Sequence, residues 1–154
     1  MSNIQISYED NLKPLAAEME ERTRSNILTI LKKSGNRYKG VSLFFCHPET
    51  IKNLNHAYRK VDQPTDILSW SYEDDEPIPG AEYLLGELAI CLEICSEQAK
   101  NTGWDLESEL LRLIVHGIGH LMGYDHELSE AEERRMLEFE KEMLASINLN
   151  GIYD

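Results

Sequence analysis

The chain has 154 residues, of which 42% are hydrophobic and 28% charged, so one domain with its own core is expected over residues 1–154. No apolar run reaches the roughly 20 residues that a membrane-spanning helix needs, and the first residues lack the basic and apolar stretches of a signal peptide. These features exclude a helical membrane protein and lead us to expect a cytoplasmic one, while the net charge of −13 argues against a surface that is basic throughout.

Hydrophobic periodicity and turn residues divide the chain into strands and helices. In chain order we predict a strand at 4–8, a helix from Pro14 to about Lys33, a strand at 41–46, a helix from Pro48 to about Arg59, strands at about 66–71 and 84–91, and helices from about 92 to 101, from Asp105 to about Met122 and from Ser129 to about Ile147. The acidic stretch at 73–82 is predicted to be an exposed loop. This order predicts an α+β domain, with a small mixed sheet of about four strands covered by about five helices.

Several residues are expected to fix the ends and faces of these helices. Gly35 can end the first helix, and Asp105 is a good N-cap for the fourth. Ser129-x-x-Glu132 matches a capping box. The helix that begins at Pro48 is expected to bury three side chains: Ile51, Leu54 and Tyr58.

Charge is distributed unevenly along the chain. Residues 1–70 hold 10 Lys and Arg against 8 Asp and Glu, a net of +2, whereas residues 71–154 hold 5 against 20, a net of −15. Two basic clusters stand in the first part, one from Lys32 to Lys39 and one at Arg59-Lys60. Each can be a surface that binds a polyanion or an ordinary solvated surface, and the sequence leaves both interpretations open.

Three cysteines, an odd number, fit a reducing compartment better than a closed set of disulfides. Cys91 and Cys95 stand in the apolar stretch LAICLEIC, where they are either paired metal ligands or buried small residues. The apolar surroundings favour burial.

The segment VHGIGHLMGYDH (115–126) holds three of the five histidines. His116 and His120 are four apart on a predicted helix, so their rings leave one face about a turn apart and can approach one ion. Gly123 can end the helix in a left-handed conformation and bring His126 back as a third ligand. Three protein ligands leave a fourth position for water, which is typical of catalytic zinc.

The same spacing, H-x-x-x-H-x-x-G-x-x-H, matches the metzincin proteases except at one position. Gly117 stands where those proteases carry the glutamate that acts as general base, and such help is typically worth ~10²–10⁴-fold in rate. Peptidase chemistry is therefore disfavoured. Gly117 and Gly119 within one helix also indicate close packing, either against the sheet, which we favour, or against another backbone or a substrate.

HGIGHLMGYDH (116–126) resembles the signature of the YbeY family of bacterial metal-dependent endoribonucleases, which act in ribosomal RNA maturation and ribosome quality control. LNHAYRKVDQPTDILSW (54–70) and LGELAIC (85–91) resemble two further motifs of that family, and the three together cover about a quarter of the chain. The resemblance implies an endoribonuclease directed at single-stranded regions of ribosomal RNA. Because the acidic half should repel bare RNA, a ribosomal or ribosome-associated protein partner is also expected.

Carried over by position, the resemblance assigns His116, His120 and His126 as ligands of one zinc ion per chain. It assigns Arg59 as a functionally important basic residue beside the site. The sequence departs from the family pattern at three places outside these residues: Glu87, Trp70-Ser71 and Gly119.

The chemistry of such a site can be stated as a hypothesis. Zinc lowers the pKa of bound water towards ~7, so hydroxide forms near neutral pH without a strong protein base. Hydroxide attack on a phosphodiester and activation of a ribose 2′-OH both stay open. Arg59 would hold non-bridging phosphate oxygens, the alternative being a charge that satisfies the end of a helix.

Five further residues have two interpretations each. Thr65, Asp66 and Asp125 either orient the site from behind or serve in turns and caps. Trp70 and Tyr72 either stack on unpaired bases or belong to the core.

Three classes of function compete. The endoribonuclease is favoured by the resemblance, a zinc metallopeptidase or other zinc hydrolase is permitted by the ligand spacing, and a ribosome-associated factor with a structural metal is the third. Gly117 weighs against the second class. The open fourth position weighs against the third, although Asp125 could close it.

Overall fold

The structure, a computed structural model, describes residues 4–36, 39–72, 83–125 and 127–149. Within these ranges it contains nine elements in the order that the sequence predicts: β1 (Ile4–Tyr8), α1 (Ala17–Lys33), β2 (Gly40–Cys46), α2 (Pro48–Arg59), β3 (Ile67–Ser71), β4 (Leu84–Cys91), α3 (Leu92–Thr102), α4 (Leu106–Leu121) and α5 (Glu130–Ser146). The predicted loop at 73–82 and part of the first basic cluster, at 37–38, lie outside the described residues.

The four strands form one mixed sheet in the order β1-β2-β4-β3. The first three of these are parallel, and β3 pairs antiparallel to β4 at one edge. The α+β architecture expected from the sequence is confirmed. The strand order places β3 at the edge, where its outer side is open to form part of a cleft.

The sheet separates two apolar cores, because successive side chains of a strand point to opposite faces. On β2, Leu43 and Phe45 enter the larger core, which α1, α3, α4 and α5 complete. Phe44 and Cys46 point to the other face, where α2 supplies Ile51 to a smaller core. The smaller core leaves part of its face of the sheet uncovered.

Helix α4 lies at the centre of the larger core and is buried on almost every side. Between residues 110 and 121, only Arg112, His116 and His120 are partly exposed. These three positions are four apart, so they form one stripe along the helix. The single solvated stripe of the central helix is thus the one that carries both histidines.

Three details of the helices differ from expectation. Helix α1 begins at Ala17 and not at Pro14, because Ala16 keeps an extended ψ of 144° and no side chain caps the helix. Tyr58 is 66% exposed, so its predicted burial is wrong; the ring leaves the smaller core and contacts Trp70 edge to face. Only half of the capping box forms, since Ser129 accepts the Glu132 amide while the Glu132 carboxylate binds Arg135.

The other expected helix ends are confirmed. Asp105 accepts a hydrogen bond from the Ser108 amide at 2.7 Å, as an N-cap does. Gly35 and Gly123 follow their helices with φ of +86° and +95°. Among the described residues, no helix is long and apolar enough to cross a membrane.

All three cysteines are buried and none forms a disulfide. Burial raises the pKa of the Cys46 and Cys95 thiols to about 12 and also raises that of Cys91. The thiols therefore stay protonated, as buried small residues, and the burial that the sequence favours for Cys91 and Cys95 is confirmed.

Candidate metal centre

The two helical histidines face each other across one turn of α4. The Nε2 atoms of His116 and His120 are 3.1 Å apart, and their rings are nearly perpendicular, at 86°. Two nitrogen ligands of one tetrahedral zinc ion, each bound at about 2.0–2.1 Å, lie roughly 3.3 Å apart. The observed pair therefore fits a shared metal ion without rearrangement of the helix.

A buried carboxylate behind His116 sets which ring nitrogen carries the proton. His116 Nδ1 donates a hydrogen bond to Glu140 of α5, whose side chain is only 7% exposed. With the proton held on Nδ1, the lone pair of Nε2 points towards His120. This is the carboxylate–histidine arrangement that commonly supports metal ligands in proteins. Glu140 could not be predicted from the sequence, because the pairing depends on how α5 packs against α4.

The turn after α4 reverses the chain as predicted. Gly123 donates its amide to the His120 carbonyl and Tyr124 donates to the Gly119 carbonyl, both at 3.0 Å, which is the pair of bonds in a Schellman motif. Tyr124 then stacks on Phe139 at 4.8 Å between ring centroids. The chain beyond the helix is thereby held against α5.

His126, the predicted third ligand, lies outside the described residues. Within residues 4–36, 39–72, 83–125 and 127–149, no group of three His, Cys, Asp or Glu side chains is arranged to hold a metal ion. The neighbours Asp125 and Glu127 both line the same cleft as His116 and His120. The assignment of His126 stays a prediction.

Arg59 and the histidine pair, which the sequence places far apart, line one cleft of about 400 Å³. We call it the metal cleft; it lies between the exposed stripe of α4, the edge strand β3 and the end of α2. Arg59 is the last residue of α2, so it is a helix C-terminal cation that also borders the metal cleft. Its role in holding phosphate oxygens stays a prediction.

The loop after Arg59 is tied down by two polar side chains. Asn55, which is 3% exposed, donates from Nδ2 to the Gln63 carbonyl at 2.9 Å. Asp66 accepts hydrogen bonds from Thr65, from the Ile67 amide and from Gln98 of α3. Asp66 and Thr65 therefore form a turn that anchors the loop. Both also line the metal cleft, so the two interpretations of these residues stay open.

Asp125 also has a turn role, since its Oδ1 accepts the amide of Glu127 at 2.9 Å. Asp125 nevertheless lines the metal cleft.

A second arginine of the metal cleft was not predicted. Arg112 stands one turn before His116 and donates from Nε and Nη2 to the carboxylate of Glu109, which is 1% exposed. Such a two-pronged, charge-assisted pair is strong and holds the guanidinium in place. The four-residue spacing from Arg112 to His116 was a signal that could have found it.

The two glycines of α4 serve packing. A Cβ on Gly117 would stand 2.7 Å from Leu88 and 2.9 Å from Ile67, both side chains of the sheet. A Cβ on Gly119 would stand 3.2 Å from Phe139 of α5. Packing against the sheet, the favoured interpretation, is thus confirmed for Gly117, whereas Gly119 packs against a helix.

Fold and site together define a class: a small α+β protein whose central helix presents a histidine pair in a cleft bordered by arginines. The family model described as endoribonuclease YbeY matches residues 5–148 of the chain. The chain belongs to the endoribonuclease YbeY family, as the sequence motifs indicate.

Named relatives match over nearly the whole chain. Endoribonuclease YbeY of Treponema denticola is 36% identical, covering 99% of this chain and 99% of the relative. That of Halalkalibacterium halodurans is also 36% identical, covering 96% and 98%. The solution structure of TM1509 from Thermotoga maritima has a TM-score of 0.63 at 28% identity and covers 94% of this chain and 88% of that one.

Proposed function

We propose that this protein is a zinc-dependent endoribonuclease of the cytoplasm that cleaves single-stranded regions of ribosomal RNA during maturation and quality control. Family membership supports the endoribonuclease activity. The observation that carries the proposal is the 3.1 Å separation of the His116 and His120 Nε2 atoms, in a cleft that Arg59 also lines. This separation would suit two ligands of one metal ion, and Arg59 would bind a phosphate in the same cleft.

His116 and His120, together with His126, would hold the zinc ion. Glu140 would keep the His116 ring in the orientation that binds it. When bound, zinc supplies Lewis-acid chemistry, which polarises a phosphodiester and makes water a stronger nucleophile near neutral pH. The residues of the chain would bind and orient the RNA around that position.

Arg59 would bind the non-bridging oxygens of the phosphate. It is exposed, and within the described part of the chain its guanidinium forms no ion pair. A planar guanidinium matches two phosphate oxygens at once, and it gains strength as charge builds up on them. Arg112 lines the far wall of the metal cleft, where the carboxylate of Glu109 balances its charge.

The environment of Gly117 argues against the metallopeptidase alternative. A glutamate there would need a Cβ 2.7 Å from the buried side chain of Leu88 and 2.9 Å from the side chain of Ile67, so both side chains would have to shift. The position that supplies the general base in metzincins is therefore crowded by the sheet.

Delivery of RNA would depend on a ribosomal or ribosome-associated protein partner. The net charge of −13 repels a bare polyanion, and the two arginines of the metal cleft offset only a small part of it. A partner that presents the RNA would overcome this repulsion.

The test pairs metal analysis of the purified protein with cleavage of a single-stranded RNA. We expect His116→Ala to lose both zinc and cleavage, and Arg59→Ala to keep zinc while cleavage falls about 10²-fold or more. Lys60→Ala, the exposed neighbouring cation, is the control and should change cleavage little. Cleavage by the His116→Ala protein equal to that of the parent would refute the proposal, and unchanged cleavage by Arg59→Ala would remove Arg59 from it.

A structural metal would give another pattern. In that case, His116→Ala would lower the unfolding temperature together with zinc content, and the zinc-loaded parent would not cleave RNA even when presented with ribosomal subunits. The third functional class would then replace the proposal.

A further inference from the structure

A second cleft, of about 730 Å³, lies on the face of the sheet that α2 leaves uncovered. We call it the aromatic groove and define it by five of its lining residues: Phe44, Leu54, Tyr58, Trp70 and Glu87. Tyr58 and Trp70 form one wall, with ring centroids 5.5 Å apart and planes at 79°. Because Tyr58 is 66% exposed, a large aromatic face meets solvent here.

The aromatic groove adjoins the metal cleft at the edge strand β3. Ser69, in the middle of the edge strand β3, lines both. Tyr58 and Arg59 are consecutive at the end of α2, one lining the aromatic groove and the other the metal cleft. A chain that has a phosphate on Arg59 can therefore place a neighbouring group on Tyr58.

The charge of the aromatic groove suits a base and not a phosphate. Among the described residues that line it, none is a lysine or arginine, and the exposed carboxylate of Glu87 stands in it. Burial, together with a hydrogen bond that Tyr72 donates to Glu87, raises the pKa of the Tyr72 hydroxyl to about 12. A carboxylate repels phosphate oxygens, but it accepts hydrogen bonds from the amino groups of bases.

We propose that the aromatic groove binds an unpaired RNA base that carries an exocyclic amino group, next to the phosphate held in the metal cleft. The base stacks on the exposed ring of Tyr58, beside Trp70, and its amino group donates to Glu87. Stacking on exposed aromatic rings is the usual way in which proteins hold unpaired bases, and it tolerates many sequences. The proposal rests on the proposed endoribonuclease function and names the part of the substrate that its cleft leaves unassigned.

The first experiment uses the fluorescence of Trp70. The chain has two tryptophans, and the other, Trp104, lines a different cavity, so Trp104→Phe leaves Trp70 as the only reporter. The probe is a 2′-O-methyl cytidine hexamer, whose 2′-oxygen cannot attack the phosphodiester, added to the zinc-loaded protein; its length is checked after each titration. We expect quenching of Trp70 and, with Tyr58→Ala, a loss of affinity of about fivefold or more, as base–aromatic stacking gives.

Two variants make this result specific. Tyr58→Phe keeps the ring and should bind the hexamer about as tightly as the parent. Tyr83→Ala removes another exposed tyrosine, just before β4 and outside both clefts, and should leave affinity unchanged. Absence of quenching would overturn the proposal. Equal effects of Tyr58→Ala and Tyr83→Ala on affinity would also overturn it, and this result is the one expected if the aromatic groove binds a protein.

The second experiment compares cytidine with uridine hexamers, which differ in the amino group that Glu87 would accept. We expect the parent to bind cytidine about three- to tenfold more tightly, as one solvent-exposed hydrogen bond gives. Glu87→Ala should remove the difference between the two hexamers. A preference that survives Glu87→Ala would exclude Glu87 from recognition.

Failure of this proposal can be told apart from failure of the proposed function. Quenching and base preference are binding measurements that need no cleavage, so they stand or fall without the His116→Ala result. Cleavage that depends on His116 but not on Tyr58 would retain the function and reject the base site.

Discussion

At His116, one hydrogen bond fixes the tautomer and the orientation of the ring. The bond from Nδ1 to Glu140 leaves the Nε2 lone pair towards His120, and the two Nε2 atoms then lie 3.1 Å apart. A ring without this partner would rotate and change its tautomer freely. The carboxylate from α5 therefore prepares the site for a cation before any cation binds.

We expect Glu140→Gln to weaken zinc binding about tenfold or more, since loss of a partner behind a ligand histidine typically costs 10–100-fold in affinity. The measurement is competition with a chelator of known affinity. Glu138→Gln, two residues away on the exposed side of α5, is the matched control with the same change of charge. Equal affinities for the two variants would mean that Glu140 acts only on folding.

The residues of the site differ in how far the sequence could predict them. The histidine pair follows from spacing within one helix, and the structure brings Arg59 to it as the motif implies. Arg112 was predictable by the same spacing. Glu140 was not, because nothing local to α5 marks one glutamate among its many as the partner of α4.

Helices α4 and α5 begin with two different kinds of N-cap. Asp105 accepts the Ser108 amide and Ser129 accepts the Glu132 amide. The first cap is charged, and its hydrogen bonds with Ser108 lower the pKa of the Asp105 carboxyl below 3.8. The second cap does not titrate in this range.

This difference predicts a pH dependence. A lowered pKa in the folded state means that the Asp105 contribution to stability is present above its unfolded pKa, about 3.9, and is lost as pH falls through the folded value. Asp105→Ala should cost about 1 kcal/mol at pH 7 and less as pH drops to 3. Ser129→Ala should cost a similar amount at every pH. Urea unfolding between pH 3 and 7 measures both, and a constant cost for Asp105→Ala would contradict the expectation.

The sequence predicted the helices and strands better than it predicted which of them pack together. Hydrophobic patterning and capping residues predicted every described strand and helix, because those signals are local. The strand order β1-β2-β4-β3 carries no local signal, and it is what makes β3 an edge shared by two clefts. Tyr58 was misjudged because helical spacing alone cannot tell where the sheet beneath α2 ends.

At the scale of the whole molecule, two glycines allow α4 to pack closely between the sheet and α5. Gly117 allows close approach to Leu88 of the sheet and Gly119 allows approach to Phe139 of α5. The margins differ, because an added Cβ meets Leu88 at 2.7 Å but Phe139 only at 3.2 Å. The sheet side is the tighter of the two.

We expect Gly117→Ala to destabilise the protein by about 1–2 kcal/mol, because overpacking costs ~1–3 kcal/mol and exceeds the helix propensity that alanine gains. For Gly119→Ala the two effects should nearly cancel, giving a change within about 0.5 kcal/mol. Both are measured as free energies of unfolding in urea. A Gly117→Ala protein as stable as its parent would show that the sheet can move away from α4.

The burial of Cys46, Cys91 and Cys95 has a practical consequence. With each thiol at most 1% exposed and its pKa raised, the folded protein should react slowly with maleimides and other thiol reagents. A cysteine introduced at exposed Lys60 would then take a spin label or fluorophore selectively, with no need to remove the native cysteines. Such a label, beside Arg59 at the junction of the two clefts, would report the arrival of RNA in real time.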